Sequence, residues 1–311
     1  MADLTRPTDV ADVTGETVTP AAASALRHPD RITRKKTRSG GWYLTVVLKA
    51  IVALVFLFAA LFPLVWMLIA GFKSKTEVLQ TPFQFFPEMW NWRNYTQIAS
   101  DPTFLRSMLW TFGGAVLFAA GSLVVNSLAA YAFARLEFRG KKILWLIVIT
   151  TMFIPGMTIL LTSFIVVTKL QMLDTLAVLV IPGLASAASI FFIRQFYLNI
   201  PSSLEEAAML DGAGRFRIYL HLFLPLSKPP FVVMGITAFL AYWNSYVWPI
   251  MTVTSPENFV LQQYLAGFRS ERTSELGLLM AGSTLAMLPV LILFLIFQRQ
   301  IIGNIKMAGL K

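Results

Sequence analysis

Residues 200–230, "IPSSLEEAAMLDGAGRFRIYLHLFLPLSKPP", form a proline-bounded stretch that carries acidic, basic and small residues. The stretch separates two apolar runs, Leu176–Tyr197 and Pro230–Val253, and each run can cross the roughly 30 Å hydrocarbon core of a bilayer as a helix. A polar stretch between two such runs is expected to be a loop outside the membrane. The residues around it therefore predict a fold built from membrane-spanning helices.

The composition of the whole chain agrees with a membrane protein. Hydrophobic residues make up 56% of the 311 residues and charged residues only 14%, whereas soluble domains carry about 25% charged residues. The apolar residues are gathered into blocks of about 20. Four further blocks are Thr45–Phe72, Met108–Ala132, Ile143–Val167 and Leu276–Phe297. We therefore predict an all-α, polytopic membrane protein with six transmembrane helices.

The distribution of basic residues predicts the orientation. Of the 26 Lys and Arg residues, 18 fall in the N-terminal tail, in the loops that follow the second and fourth spans, and at the C-terminal end, whereas seven fall in the other loops. The positive-inside rule then places both termini in the cytoplasm, together with the loop 198–228. A net charge of +10 beside apolar spans indicates contact with membrane lipid and not with nucleic acid. Residues 1–41 are expected to be a disordered cytoplasmic tail, and residues 42–311 the six-span domain.

Several kinds of chemistry are excluded by the residues that the chain lacks. There is no cysteine, and the only histidines are His28 and His221, so a metal site is not expected. No G-x-x-x-x-G-K-[ST] sequence occurs, and the chain is expected to bind no nucleotide itself. The spans contain almost no ionisable residue apart from Lys49, which argues against an ion-coupled secondary transporter. No cluster of side chains suits a catalytic site, so we predict no enzyme and no cofactor.

Within the loop 198–228, the sequence predicts two short helices joined by a tight turn. Ser202 and Glu205 have the spacing of a capping box at a helix start. Gly212 suits the left-handed residue that follows a helix end. A second helix, about Arg215–Phe223, is expected at a new angle, with Pro225 ending it. Taken alone, these residues fit two interpretations about equally well. The loop either projects from the membrane and binds another protein, or only returns the chain to the membrane.

The same loop resembles the EAA motif of ABC importer permeases, whose pattern is E-A-A-x3-G-x9-I-x-L-P. Glu206-Ala207-Ala208, Gly212 and Leu222-x-Leu224-Pro225 match it, with Leu222 in place of the usual isoleucine. The segments "FFIRQFYLNIPSSLEEAA" and "AYWNSYVWPIMTV" also resemble the carbohydrate uptake branch of that family. The similarity covers nearly all of residues 44–311. It resembles in particular the second permease subunit of maltose-type importers.

This resemblance implies a fold, a function and partners. The fold is the type I ABC importer permease fold in a bacterial inner membrane, and the function is to move a sugar by alternating access. The implied partners are a cytoplasmic ABC ATPase dimer that binds the ATP, a second and different permease subunit, and an extracytoplasmic sugar-binding protein. The implied ATPase contacts are Glu206, Ala207, Ala208, Asp211 and Gly212, with Leu222, Leu224 and Pro225 at the base of this EAA loop (residues 198–228).

Polar residues and helix breakers within the spans leave alternatives open. Asn126 and Asn244 are expected to hydrogen-bond between helices or to line a sugar path, and we favour the bonds. Pro155-Gly156 and Pro182-Gly183 either break the third and fourth spans or kink them. Arg194 and the basic loop Arg139–Lys142 are expected to reach toward lipid headgroups.

Two rival functions remain at this stage. The first is an ABC permease for another solute, such as glycerol phosphate or a polyamine. The second is a stand-alone secondary transporter, which would need no companion ATPase.

Overall fold

The computed structural model describes residues 40–270 and 273–308, and this part of the chain is almost entirely helical. Its helices are α1 (Gly40–Ala70), α2 (Arg93–Ser100), α3 (Pro102–Arg135), α4 (Lys141–Thr151), α5 (Leu160–Lys169), α6 (Leu176–Val180), α7 (Ala187–Leu198), α8 (Ser202–Leu210), α9 (Arg215–Ile218), α10 (Leu224–Leu226), α11 (Lys228–Trp243), α12 (Val247–Thr252), α13 (Leu261–Ala266) and α14 (Leu276–Ala308). Two short antiparallel strands, β1 (Arg269–Ser270) and β2 (Thr273–Ser274), precede α14.

The chain divides into two compact units, Met1–Ala59 and Ala60–Lys311, so the boundary falls within α1. The predicted tail lies outside the described residues, except that α1 already includes Gly40 and Gly41. Disorder of the tail, its cytoplasmic location and the domain boundary after residue 41 stay predictions.

Among the described residues, three helices are long and apolar enough to cross a membrane alone, and they correspond to the first, second and sixth predicted spans. The third and fourth predicted spans are bent pairs of helices, by 98° and 49°. They break beside Pro155-Gly156 and Pro182-Gly183, as the sequence allowed. Counting each bent pair as one span gives up to six, which agrees with the predicted fold class.

The fifth predicted span, near Pro230–Val253, is right at its start and wrong at its end. Its helix α11 begins at Lys228 and ends at Trp243, and the segment Arg215–Leu226 precedes it at an angle of 81°. Asn244 follows as the C-terminal cap, and a separate helix, α12, begins only at Val247. The apolar run therefore contains a helix end that composition alone does not reveal.

Helix α3 is the central element because it packs against both α7 and α11. The two helices α3 and α11 approach closely at Gly114, where an added Cβ would collide with the Tyr242 hydroxyl oxygen. One buried hydrophobic cluster surrounds the start of α3 and includes Phe104, and a second surrounds its end and includes Tyr131. These two clusters fix the two groups of loops at opposite ends of α3.

At the α3 start lie the distal loops, which we define as residues 71–101, 170–175 and 253–275. Asp174, in the left-handed conformation (φ 64°), joins two of them. Its carboxylate accepts hydrogen bonds from the backbone and hydroxyl groups of Thr254 and Ser255, at 2.5 to 3.2 Å. The bond from the Ser255 hydroxyl contributes most to lowering the pKa of Asp174, partly opposed by desolvation.

A second carboxylate joins α3 to α13. Asp101 Oδ1 caps α3 by accepting from the Thr103 amide at 2.7 Å, and Oδ2 accepts from the Tyr264 hydroxyl at 2.6 Å. Burial, and then the bond to Asp101, raise the pKa of Tyr264. Asp174 and Asp101 thus each join separate segments at this end of α3.

Candidate functional site

The first helix of the EAA loop, α8, starts one residue earlier than the sequence predicted. Pro201 is the N-cap, and no side chain caps the helix, so the predicted Ser202–Glu205 capping box is wrong. The shift places Glu205 in the fourth helical position, one beyond the position that a capping box uses. Glu205 turns inward instead and is only 5% exposed.

The buried carboxylate of Glu205 pairs with two arginines. Arg215 Nη1 donates to its Oε1 at 2.6 Å, which joins α8 to the second arm of the loop. Arg135 Nε, at the end of α3, lies 3.8 Å from its Oε2. The side chains of Glu205 and Arg135 are 7% and 12% exposed, so this charge pair is largely removed from solvent.

Arg135 also binds the segment that leads into α8. Its Nη2 donates to the carbonyl of Tyr197 at 2.7 Å and to the carbonyl of Ile200, and its guanidinium lies 5.2 Å from the centre of the Phe223 ring. One arginine on α3 therefore holds both ends of the EAA loop. A movement of the loop base must involve the end of α3 as well.

The turn after α8 is a Schellman motif, a helix ending with a left-handed residue. The Gly212 amide donates to the Met209 carbonyl at 3.0 Å, and the Ala213 amide to the Ala208 carbonyl at 2.9 Å. Gly212 has φ +80°, the conformation that glycine adopts without strain. The predicted role of Gly212 as the residue that sets the bend is confirmed.

The second arm runs from Arg215 to Leu226 without a break, so Pro225 does not end it as predicted. A π-helical turn, Tyr219–Phe223, precedes the proline. The wider turn moves the carbonyl of His221 away from the proline ring, which would clash with it in an α-helix. Tyr219 Oη lies 2.7 Å from Ser127 Oγ and ties this arm to α3.

The base of the loop is a hydrophobic cluster shared with α3 and α7. Ile218, Tyr219 and Phe223 are buried there against residues of those two helices. Leu222 and Leu224 pack on the cluster and are half-buried, and Pro225 is exposed. The two leucines thus lie at the loop base, where the resemblance placed them.

The tip of the loop is exposed and partly apolar. Glu206, Ala207, Asp211 and Gly212 are exposed, and Ala208 is half-buried. Beside them, Leu210 is 89% exposed, Phe216 64% and Leu204 45%. An apolar surface rimmed by acids is typical of a docking site for another protein.

The two asparagines of the spans differ. Asn126 is buried, and it donates to the Leu184 carbonyl at 2.9 Å and accepts from the Ser186 amide at 2.8 Å. Asn126 therefore makes the interhelical bonds that the sequence favoured. Asn244 is exposed and donates to Leu240 of its own helix at 3.0 Å, so the interhelical bond expected of it is wrong. A place in a solute path stays a prediction for both residues.

Arg135 and the inward role of Glu205 were missed from the sequence. Arg135 was counted only as one of the basic residues that set the orientation, and Glu205 as a cap. The available signal was the pair Glu205-Glu206, because two adjacent residues of a helix do not share a face. Among residues 40–270 and 273–308, no group of three or more His, Asp or Glu side chains could hold a metal ion.

Comparison with known proteins gives concordant similarities. Residues 126–306 match the family model described as binding-protein-dependent transport system inner membrane component. The arabinooligosaccharides transport system permease protein AraQ of Halalkalibacterium halodurans is 29% identical over 285 residues, covering 89% of this chain and 99% of AraQ. The sn-glycerol-3-phosphate transport system permease protein UgpE of Pectobacterium atrosepticum is 30% identical over 260 residues, covering 80% of this chain and 92% of UgpE.

The fold is similar to a solved structure. A chain of a bacterial ABC transporter involved in the import of the acidic polysaccharide alginate superposes with a TM-score of 0.73 at 24% identity. The match covers 84% of this chain and 98% of that chain. The arrangement of helices is therefore that of an ABC importer permease.

Proposed function

Because the chain belongs to the family of binding-protein-dependent transport system inner membrane components, we propose that it is a permease subunit of an ATP-driven sugar importer. The proposal places the EAA loop in the cytoplasm, where an ABC ATPase dimer holds the ATP and grips the loop. Closure of that dimer would move the loop and switch the spans between inward-facing and outward-facing states. The chain itself performs no chemistry.

The observation that carries this proposal is the contrast within the EAA loop between a tied base and an exposed tip. The base is held by Glu205, Arg135 and the buried cluster, whereas Leu210 and Phe216 at the tip are exposed. A re-entry loop that only returned the chain to the membrane would have no use for exposed leucine and phenylalanine side chains. A tip that enters a cleft of another protein would bury them.

The small and acidic residues suit the same docking. Ala207 and Ala208 add little bulk, which lets a partner backbone come close. Glu206, exposed beside them, would pair with a cation or with the positive end of a helix on the ATPase. Asp211 would do the same at the turn.

The route from the tip to the spans follows from Arg135. Since Arg135 binds Glu205, Tyr197 and Ile200, a force on α8 would reach the end of α3 directly. The second arm would transmit the same force to α11 across the 81° bend. Two spans would then move together when the tip is displaced.

The remaining partners are the second permease subunit and the extracytoplasmic binding protein. The apolar side chains of α1 from Val46 to Leu57 are exposed, which fits a helix covered by lipid and by a second, different permease subunit. An extracytoplasmic binding protein would deliver the solute to the distal loops. Sugar is the favoured solute because AraQ serves arabinooligosaccharides by its name.

The decisive experiment is reconstitution of the chain with the subunits that co-purify from its host. We expect an ATPase among them, and we expect hydrolysis to rise when the binding protein and an oligosaccharide are added. A chain that transports solute alone, or an EAA loop labelled from the outside of intact cells, would contradict the proposal.

A variant at the turn tests coupling. Gly212→Asp should leave ATP hydrolysis but lose most transport, because a carboxylate side chain would occupy the ATPase cleft and the left-handed conformation would be strained. Gly214→Asp is the matched control, since Gly214 has φ −71° and no atom near its Cβ position. Normal uptake by an assembled Gly212→Asp complex would refute the coupling role.

A second candidate solute is glycerol phosphate, favoured by the similarity to UgpE. The same reconstituted complex separates the two by measuring ATPase stimulation with arabinooligosaccharides and with sn-glycerol-3-phosphate. ATPase stimulation by sn-glycerol-3-phosphate and not by arabinooligosaccharides would favour the second candidate.

A further inference from the structure

A cavity of about 630 Å³ opens where α3 and α7 end and α4 begins. Its wall includes Phe133, Glu137, Lys141, Lys142, Trp145 and Arg194. It is separate from the tip of the EAA loop, and none of the proposed ATPase contacts lines it. Three cations against one carboxylate make its lining positive.

The carboxylate is already engaged with one of the cations. Glu137 Oε1 lies 3.2 Å from Lys141 Nζ, which also donates to the Leu136 carbonyl at 2.8 Å. The side chain of Lys142 forms no hydrogen bond or ion pair with another described residue. The positive charge at the cavity is therefore carried mainly by Lys142 and Arg194.

Arg194 is held in place but keeps donors available. Its Nε donates to the Phe133 carbonyl at 3.1 Å, and its guanidinium lies 4.2 Å from the centre of the Trp145 ring. Its two terminal nitrogens have no hydrogen-bond partner among the described residues. A planar guanidinium fixed on an aromatic ring with both terminal groups available is suited to bidentate binding of a phosphate.

The first turn of α4 adds to the same positive end. The helix has 11 residues, starts after Gly140 in the left-handed conformation, and carries no acidic residue in its first turn. Its free amide groups and dipole favour an anion at this end. The charges of Lys142 and Arg194 lie at the same place as this helix end.

An apolar floor lies beneath the charges. The rings of Phe133 and Trp145 are 5.3 Å apart and those of Phe133 and Phe138 are 5.9 Å apart, and Ile143 completes the lining. A soluble anion gains nothing from such a floor, whereas an amphipathic anion places its apolar part there. The cavity also lies at the end of membrane-spanning helices, where headgroups are found.

We infer that this cavity binds the phosphate-bearing headgroup of an anionic phospholipid, with Lys142 and Arg194 at the phosphate and the aromatic floor against the acyl chains. The proposal depends on the membrane location of the chain and not on the solute or on the ATPase contact. Basic pockets between membrane helices bind anionic headgroups in this way. The bound lipid would fix α4 against α3 and α7.

The test is native mass spectrometry of the full chain, purified with its accompanying subunits and exposed to phosphatidylglycerol or phosphatidylcholine. We expect phosphatidylglycerol to be retained in preference. Lys142→Gln and Arg194→Gln should each weaken retention roughly five-fold, the effect of one basic residue near an anionic headgroup. Arg194→Lys should keep part of it, because the charge remains.

The matched control is Lys169→Gln with Arg106→Gln. It removes one exposed lysine at the end of α5 and one exposed arginine near the start of α3, and neither residue lines the cavity. Retention should be unchanged in this control, and an equal loss would reveal only a general charge effect and overturn the proposal. Lys142→Gln guards against misfolding, since its side chain has no hydrogen bond or ion pair with the described residues to lose, and unchanged retention in that variant also overturns the proposal. Excess inorganic phosphate should not release the lipid, and release would reassign the cavity to a soluble anion.

Discussion

The EAA loop and the distal loops lie at opposite ends of α3 and are held in different ways. The EAA loop is fixed at its base, by the buried charge pair of Glu205 and Arg135, by hydrogen bonds to α3 and by one hydrophobic cluster. The distal loops are fixed along their length by acceptors such as Asp174 and Asp101, which bind several groups each. One end is therefore fixed at its base with its tip exposed, and the other is bonded within its own loops.

The difference indicates which end meets a partner that moves it. A loop that must transmit force needs a rigid base and an unoccupied tip, and the EAA loop has both. Loops whose polar groups are already bonded to each other keep their shape without a partner. Four substitutions test this contrast, and they are given from the largest expected effect to the smallest.

Glu205→Ala should have the largest effect, a loss of about 3 kcal/mol in the free energy of unfolding, because it leaves Arg135 buried without its charge partner. Thermal unfolding in detergent measures the loss. Glu206→Ala is the control, since Glu206 is the exposed neighbour, and it should leave the melting temperature unchanged. Equal melting temperatures for the two variants would show that the base is not held by Glu205.

Asp174→Ala should cost roughly 1 kcal/mol, as several bonds to one half-buried carboxylate are lost together. The folded state lowers the pKa of Asp174, so the charged carboxylate contributes stability above its unfolded pKa of about 3.9 and loses it as the pH falls through the folded pKa. The difference in melting temperature between wild type and variant should therefore be constant near neutral pH and shrink below about pH 4. A difference that grows in acid would contradict this assignment.

Gly212→Ala should cost about 1 kcal/mol, because a Cβ strains the left-handed conformation although no atom lies near it. Gly214→Ala provides the comparison, because its φ of −71° accepts any residue. In chemical unfolding, the midpoint of Gly212→Ala should therefore lie at a lower denaturant concentration than that of Gly214→Ala, and the difference reports the strain energy. Identical midpoints would mean that the turn relaxes without cost.

Leu210→Ser should change the stability of the chain least, by under about 0.5 kcal/mol, since the side chain is exposed. Its effect should appear instead in binding, with co-purification of the ATPase reduced about tenfold, as expected when a central apolar contact is lost. Leu170→Ser, at a site 64% exposed among the distal loops, should change neither quantity. A stability loss without a binding loss would remove Leu210 from the docking surface.

The sequence was sufficient for features that depend on local composition. The apolar runs predicted the spans, Pro155 and Pro182 marked the two breaks, and Gly212 marked the turn. The resemblance at Glu206 to Pro225 predicted the family. The orientation of the termini, the contacts of the EAA loop and the partners stay predictions.

Features that depend on contacts between distant segments could not be predicted from the sequence. Glu205 was predicted as a cap because its spacing from Ser202 fits one, and only the position of Arg135 on α3 shows why it turns inward. The end of α11 at Trp243 lies within a run that was predicted as one span, although the polar pair Asn244-Ser245 follows it directly. The second arm extends past Pro225 because of the π-helical turn, and no residue type in the sequence predicts such a turn.

The break in the third span has a consequence for the membrane itself. The 11 residues of α4 rise about 16 Å, roughly half of the hydrocarbon thickness, before the chain turns by 98°. If Lys141 and Lys142 lie at the headgroups, the corner Met152–Pro155 would lie near the middle of the bilayer. Carbonyl groups of such a corner find no donor in lipid, so neighbouring protein or trapped water must solvate them. Such a corner would introduce polar groups at a depth where the rest of the bilayer is hydrocarbon.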